Sequence, residues 1–264
     1  SQTNDLSVDF PLYERLMNAG INVLSLAMQA YYPQASDPDI ADRIETLARK
    51  NGVTFTGTGI HHMSRIWSGI LAAGQCTRIT SLSHTSLTDQ ILQATPEQLT
   101  RQLGVGWTVD RYLAAGIHKA KLWSVYTDMV AHVLSALGFS VTNIRTEVEP
   151  IVWNEPYDST YLSMVIPAGH VLGTRTKGYV ETQEGVLGDI VTEARMCRRG
   201  EEEHCAWHVN GTPRSQARIR RLDSDYTNAA SLFNRIKDVI NAPPGIVPVS
   251  RLGPMRCADL LRSY

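Results

Sequence analysis

Residues 9–20 bring Leu12, Leu16 and Met17 to one face of a helix, and Gly20 supplies its C-terminal stop. The next seven residues, 21–27 (INVLSLA), form an apolar run suited to a strand buried on both faces, as in a parallel sheet. Asp37 is a good N-cap and Pro38 a good first helical residue. Ile40, Ile44, Leu47 and Ala48 then mark one helical stripe that ends near Asn51-Gly52. Residues 53–58 supply another short strand. The result is helix–strand–helix–strand, the rhythm of a doubly wound sheet.

The pattern is helical again over 60–74, with Ile66, Ile70, Trp67 and Leu71 as apolar anchors. The texture then changes. Residues 78–84 alternate polar and apolar, as a half-exposed antiparallel strand should. Helices are predicted over 95–103 and 120–138, and strands over 141–153, 160–166, 170–182, 186–198, 204–210 and 214–221. A last helix spans 226–240, stopped by Ala242-Pro243-Pro244-Gly245. The expected architecture is an α/β opening followed by a larger, mostly antiparallel sheet packed with helices. Two strands and two helices are too few for a stable doubly wound sheet. The antiparallel part, another chain or sequence preceding Ser1 has to cover them.

Composition narrows the partners. A formal net charge of −1 gives no electrostatic reason to expect nucleic acid or an anionic membrane. No stretch reaches the roughly 18–20 uninterrupted apolar residues that a membrane span requires. The polar opening Ser1-Gln2-Thr3-Asn4-Asp5 is wrong for a secretory signal. Cys76, Cys197, Cys205 and Cys257 lie at irregular distances, which reads as reduced thiols in a cytoplasmic protein. Asn210-Gly211-Thr212 fits a glycosylation triplet, but Asn-Gly is better read as a tight hairpin turn.

No glycine-rich phosphate loop and no G-x-S-x-G elbow occurs anywhere in the chain. Cys197, His204, Cys205 and His208 match none of the usual zinc spacings, so no metal is expected. Arg198-Arg199 and the arginines of 218–221 alternate with apolar residues, the pattern of a wet sheet face. His61-His62 opens a helix after a short strand, at the carboxyl end of the presumed sheet, where open α/β sheets bind ligands. Histidine there can act as acid, base or hydrogen-bond donor, or can simply pack the helix start. Gly57-Thr58-Gly59 lets backbone approach a ligand closely, or is an ordinary loop. His84-Thr85-Ser86 is polar enough to line a cleft, while Trp67 lies on a helical stripe that more often faces a core. Asn234, among Leu232, Ile236 and Ile240, needs a hydrogen-bond partner from the fold or from a ligand.

Three stretches together carry a family resemblance: Ala19-Gly20-Ile21-Asn22-Val23 followed by Tyr32-Pro33, Asn51-Gly52-Val53-Thr54 leading into Gly57-Thr58-Gly59-Ile60, and Ile240-Asn241-Ala242-Pro243-Pro244-Gly245-Ile246. Glu147-Val148-Glu149-Pro150 and Ile166-Pro167-Ala168-Gly169 support them. In this order the chain resembles the dihydrodipicolinate-reductase-like dehydrogenases, in the branch of 2,4-diaminopentanoate dehydrogenase and the native amine dehydrogenases. The resemblance implies the fold class α/β plus α+β. A partial Rossmann-type parallel sheet (1–59) would precede a mostly antiparallel substrate and dimerisation domain (60–240), and a C-terminal segment (241–264) would return toward the first domain. It implies NAD or NADP as cofactor, a small-molecule substrate and a homodimer or higher homo-oligomer. It sets Ser25, Gly57, Thr58, Gly59 and Asn234 against the cofactor and Met28, Trp67, His84 and Thr88 against the substrate. The position of His61 and His62 at the strand end, and of Gln29 just before Tyr-Pro in the sequence, makes these three the candidate catalytic residues.

Two departures bear on the chemistry. The family carries a carboxylate before Tyr-Pro, where it faces the reacting amine and can stabilise an iminium or move a proton. The matching stretch here, 26–30, is Leu-Ala-Met-Gln-Ala, with no acid: Met28 can do neither, and Gln29 can only hydrogen-bond. The family's Asn-Pro-Gly turn beside the nicotinamide is replaced by His61-His62-Met63. The expected function is hydride transfer to or from a small carbonyl, imine or amine carbon. The alternatives are a non-redox ligand-binding protein, a cyclase or isomerase that uses the histidines, or a structural subunit that pairs through its sheet.

Overall fold

The computed structural model describes residues 5–257. Helix α1 (Leu6–Asn18) starts at Asp5, whose carboxylate accepts the Ser7 backbone N–H. Strand β1 (Val23–Ser25) follows. A tight turn over Met28–Tyr31 then leads into the single-turn α2 (Pro33–Ser36). Helix α3 (Pro38–Lys50) is capped by Asp37, which accepts the Ile40 N–H, and β2 (Thr54–Gly57) closes this opening part.

Beyond it come α4 (Ser68–Ala73), β3 (Arg78–Asp89), α5 (Val109–Ala114), α6 (Val125–Ala136) and β4 (Val141–Val152). A small hairpin joins β5 (Tyr157–Ser159) to β6 (Met164–Ile166). The long strands β7 (Val171–Thr182), β8 (Leu187–Arg195), β9 (His204–Thr212) and β10 (Ser215–Arg220) precede α7 (Ser224–Ile240) and the two-residue β11 (Gly245–Ile246).

These strands form a three-stranded parallel sheet, ordered β1-β2-β11, and a six-stranded sheet, ordered β10-β9-β3-β8-β7-β4. In the larger sheet only β3–β8 is a parallel pair. On one face of the parallel sheet Phe10, Tyr13 and Met17 of α1 and Ile44 and Ala48 of α3 close over Val23 and Phe55. On the other face Thr54 donates to the carbonyls of Ala242 and Pro243, and α7 lies against β1 and β2. Helix α6 is buried from Val125 to Leu134, because it is wedged between the six-stranded sheet and the elements that follow β1.

Several expectations are corrected in detail. The strand over 21–27 shortens to Val23–Ser25, the part that β2 pairs. The helix over 60–74 is not uniform: His62–Trp67 is wound as a wide π-helical turn before α4 begins. The helix over 95–103 reduces to a similar wide turn over Gln98–Gln102. Strand β3 runs five residues past His84, because β8 and β9 pair with it on both sides up to Leu87. Only Met164–Ile166 of 160–166 is a strand, and α5 had no sequence prediction. Asn210-Gly211 is not a hairpin tip. Both residues lie inside β9, where a Cβ on Gly211 would run into the Arg78 carbonyl; the reversal comes at Pro213-Arg214.

Gly57 ends β2 against the backbone of the Met28–Tyr31 turn. A Cβ there would overlap the Ala30 carbonyl and stand 2.5 Å from the Tyr31 nitrogen. Gly57→Ala is expected to cost about 1–3 kcal/mol, the usual range for overpacking. Urea unfolding checks it, and an unchanged midpoint would show that this junction is looser than described.

Candidate functional site

The carboxyl ends of β1 and β2 converge on one loop. Thr58 donates its backbone N–H to the Ser25 carbonyl at 2.8 Å, and Ile60 donates to Asn228 Oδ1 of α7 at 2.7 Å. Gly59 needs its glycine twice over: its φ is +138°, and a Cβ would strike the Tyr31 hydroxyl and come 3.0 Å from Asn228 Oδ1. The loop therefore delivers His61 and His62 into the interior, at the start of the π-helical turn. Such turns recur at functional sites because the extra residue re-aims its neighbours.

The two histidines have opposite fates. Arginine only donates hydrogen bonds, so an arginine partner fixes the tautomer of an imidazole. Arg235 Nη2 lies 2.6 Å from His62 Nε2, so that nitrogen accepts and Nδ1–H points to Thr58 Oγ1 at 3.2 Å. His62 is fully buried, and burial first and Arg235 second push its pKa down to about 2. Arg235, also fully buried, donates as well to the carbonyls of Leu252 and Gly253 and pairs with Asp238. His62 is thus a strut that ties the loop to α7.

His61 Nδ1 accepts from Arg65 Nε at 3.0 Å, which leaves the proton on Nε2 as a free donor. Burial, then Arg65, Arg221 and His84, hold its pKa well below the ordinary value. At neutral pH it is a neutral hydrogen-bond donor. Its ring lies between Tyr31 and Tyr126, 5.9 and 6.1 Å away between centroids.

Opposite stands the inner face of the six-stranded sheet. His84 and Thr88 of β3 share that face, and His84 pairs in register with Trp207 of β9. The His84 ring meets the Trp207 ring edge-on at 4.7 Å, and neither of its nitrogens has a partner. Trp207 Nε1 donates to the Arg65 backbone carbonyl at 2.7 Å, which fixes the π-helical turn to the sheet. Thr88 Oγ1 accepts from Arg221 Nη2 at 2.9 Å. Arg221 is therefore no part of a wet sheet face: just past β10 it turns inward and is buried.

Arg65 and Arg221 are what sequence reasoning missed. Arg65 is 1% exposed, stacks over Tyr126 and leaves both Nη atoms without a partner among the described residues. In Arg221, Nε and Nη1 are likewise unpartnered. The signal for Arg65 was its i, i+4 spacing from His61, beside the apolar anchors Ile66 and Trp67. Nothing marked Arg221 apart from its neighbours.

The remaining predicted residues lie around this cluster. Ser25 is fully buried, bonded to Tyr13 and to the Ala27 N–H. Gln29 accepts the Leu6 N–H at 2.8 Å and so anchors the start of α1. Met28 packs, half-buried, on the large core. Trp67 donates to the Val249 carbonyl, and Asn234 is half-buried on α7. His204 and Cys205, adjacent in β9, face opposite sides of the sheet. Among the described residues no three His, Cys, Asp or Glu are placed to hold a metal ion, and no helix is long and apolar enough to cross a membrane.

No protein-family model matches the chain. Over 235 residues, 86% of the chain, it is 27% identical to the 2,4-diaminopentanoate dehydrogenase of Acetoanaerobium sticklandii, and it spans 65% of that protein. The solved amine dehydrogenase from Mycobacterium smegmatis superposes with a TM-score of 0.84 at 25% identity, over 95% of this chain and 74% of that one. A probable dehydrogenase from Thermotoga maritima shares the fold alone, with a TM-score of 0.53 at 12% identity over 94% of this chain and 72% of that one. These likenesses support the amine dehydrogenase branch of the dihydrodipicolinate-reductase-like proteins, and the Rossmann-type fold class read from the sequence.

Four buried histidines are held neutral: His61, His62, His84 and His132, the last pushed down to about 4. In the unfolded chain they take protons near pH 6.5, before the native state does, so their stabilisation is full above that pH and is lost below it. Each contributes about 1.4 kcal/mol per pH unit between its two pKa values. Asp128, raised by burial to about 6, acts oppositely and offsets one of these protons. Thermal unfolding between pH 7 and pH 5 should show a steep fall in Tm and a net uptake of about three protons. A flat profile would contradict the buried neutral assignment.

Proposed function

We propose that this chain forms the substrate-enclosing part of an NAD(P)-dependent oxidoreductase that moves a hydride between a nicotinamide and a small carbonyl, imine or amine carbon. The observation that carries the reading is the placement of a neutral His61 donor, two buried arginines and His84 at the carboxyl ends of a parallel sheet, roofed by a second sheet. Its relatives are a 2,4-diaminopentanoate dehydrogenase and an amine dehydrogenase. His61 Nε2–H would orient the reacting group, and the cofactor would supply the hydride chemistry.

The described residues do not themselves make a dinucleotide cradle. The amides of Thr58 and Ile60 already have partners, and the space beside Gly57 and Gly59 is filled by Ala30, Tyr31 and Asn228. That observation favours the second reading, a non-redox ligand-binding protein or isomerase on the same fold. The assigned spans 1–59, 60–240 and 241–264 belong to the proposal as well, with α7 packing on the first sheet and β11 pairing within it. So does the homo-oligomer, for which the outward face of the six-stranded sheet exposes Tyr179, Leu187 and Val191. A cytoplasmic location fits four unpaired cysteines.

Fluorescence titration of the purified chain with NADH and NADPH separates the two readings. Micromolar binding supports the oxidoreductase, and no binding at millimolar cofactor transfers the case to the non-redox protein. If turnover is found, His61→Ala should lower kcat about 10²-fold or more. His62→Leu should act mainly on stability, by taking from the buried Arg235 one of its acceptors.

A further inference from the structure

The mechanism above uses His61 but gives no task to the polar atoms around it. Arg65 reaches only His61 through Nε, and its two Nη atoms are buried and bare. The groups that act on it are Cys205, Tyr126, Arg221 and Tyr31, and none is a carboxylate. Arg221 has two bare nitrogens, and its one acid, Glu203, stands 3.7 Å away while also accepting the Asp89 N–H and bonding Gln93. His84 adds two bare ring nitrogens, at a position fully shielded from solvent. Arginine cannot shed its proton, and buried charges are otherwise paired. Two inward guanidiniums therefore share one off-centre glutamate among the described residues.

We infer that Arg65, His84 and Arg221 form a binding site for a carboxylate or another small oxyanion, adjoining the His61 donor. Planar guanidinium forks suit the paired oxygens of such a ligand. A neutral imidazole supplies a further N–H. Thr88 holds Arg221 toward this face, and the Trp207 bond to the Arg65 carbonyl fixes the other fork. The anion is either the carboxylate of the substrate itself or a free ion that completes the pocket. The first source rests on the oxidoreductase reading and the second does not.

The full chain is unfolded thermally against acetate, succinate and inorganic phosphate, with ionic strength held constant by sodium chloride. A saturable rise in Tm with at least one probe is expected, and half-saturation should weaken at least tenfold in Arg65→Met and in Arg221→Met. If one variant does not fold, the other carries the comparison. A linear, unsaturable response of the unaltered chain, or the same saturation in a folded variant, overturns the site. Turnover with NADH or NADPH is then compared for an oxo acid and for the ketone of the same skeleton without the carboxylate. Competition by acetate, with KM for the oxo acid raised in Arg65→Met at least tenfold more than for the ketone, assigns the site to the substrate. Stabilisation without competition assigns it to a free ion. Saturable anion binding with no nicotinamide-dependent turnover would keep the site and remove the redox reading, and turnover with no anion dependence would do the reverse.

Discussion

A guanidinium that cannot lose its charge organises this buried cluster. Arg65 lies in the π-helical turn, is 1% exposed and, among the described residues, gives its only side-chain hydrogen bond to His61. Leaving a buried ion without compensation costs about 3–5 kcal/mol, comparable with the whole stability of a marginal domain. The surroundings bear the mark of that charge. The Tyr126 ring faces the cation, His61 turns its lone pair to Nε–H, and the nearby histidines stay neutral. The direction of the His61 donor, and hence what the site can do, follows from where Arg65 puts its Nε.

The same arginine links the two sheets. Its backbone carbonyl receives Trp207 Nε1 from β9, while its side chain addresses a histidine delivered by the end of β2. The parallel sheet and the six-stranded sheet are thus joined by polar contacts at this wide turn as well as by the apolar core around α6. Gly57 and Gly59 make that approach possible by allowing Ala30 and Tyr31 to close on the loop. The glycines serve the packing of this loop against its neighbours.

Much of this was legible in the residues. The alternation of 78–84 put His84 on a sheet face, and the apolar run at 21–27 with the cap at Asp37 announced the parallel sheet. Gly57-Thr58-Gly59 and His61 stood out in the sequence because turn chemistry and histidine chemistry leave local signatures. Arg65 and Arg221 did not, because an arginine in a helical turn and one at a strand end look like surface residues until tertiary packing turns them inward. The π-helical turn escaped for a related reason: its apolar spacing resembles that of an α-helix, and the Trp207 bond that favours the wider winding comes from residues far along the chain. Gln29 illustrates the reverse error. A polar residue in a family's catalytic segment invited a chemical role, yet its carboxamide is committed to the Leu6 amide, a partner that no local pattern foretells.

His61 and His62 show how little residue type decides by itself. They are adjacent, both buried and both neutral, and each contacts one arginine. Arg235 takes the Nε2 lone pair of His62, and Thr58 takes the remaining proton, so both ring nitrogens are committed within the fold. Arg65 takes the Nδ1 lone pair of His61 instead, and among the described residues no side chain claims Nε2–H. A neutral imidazole with one committed nitrogen is a directed donor; with two it is a rivet. Which histidine is available to a ligand was therefore set by the two arginines, through the single lone pair that each one claims.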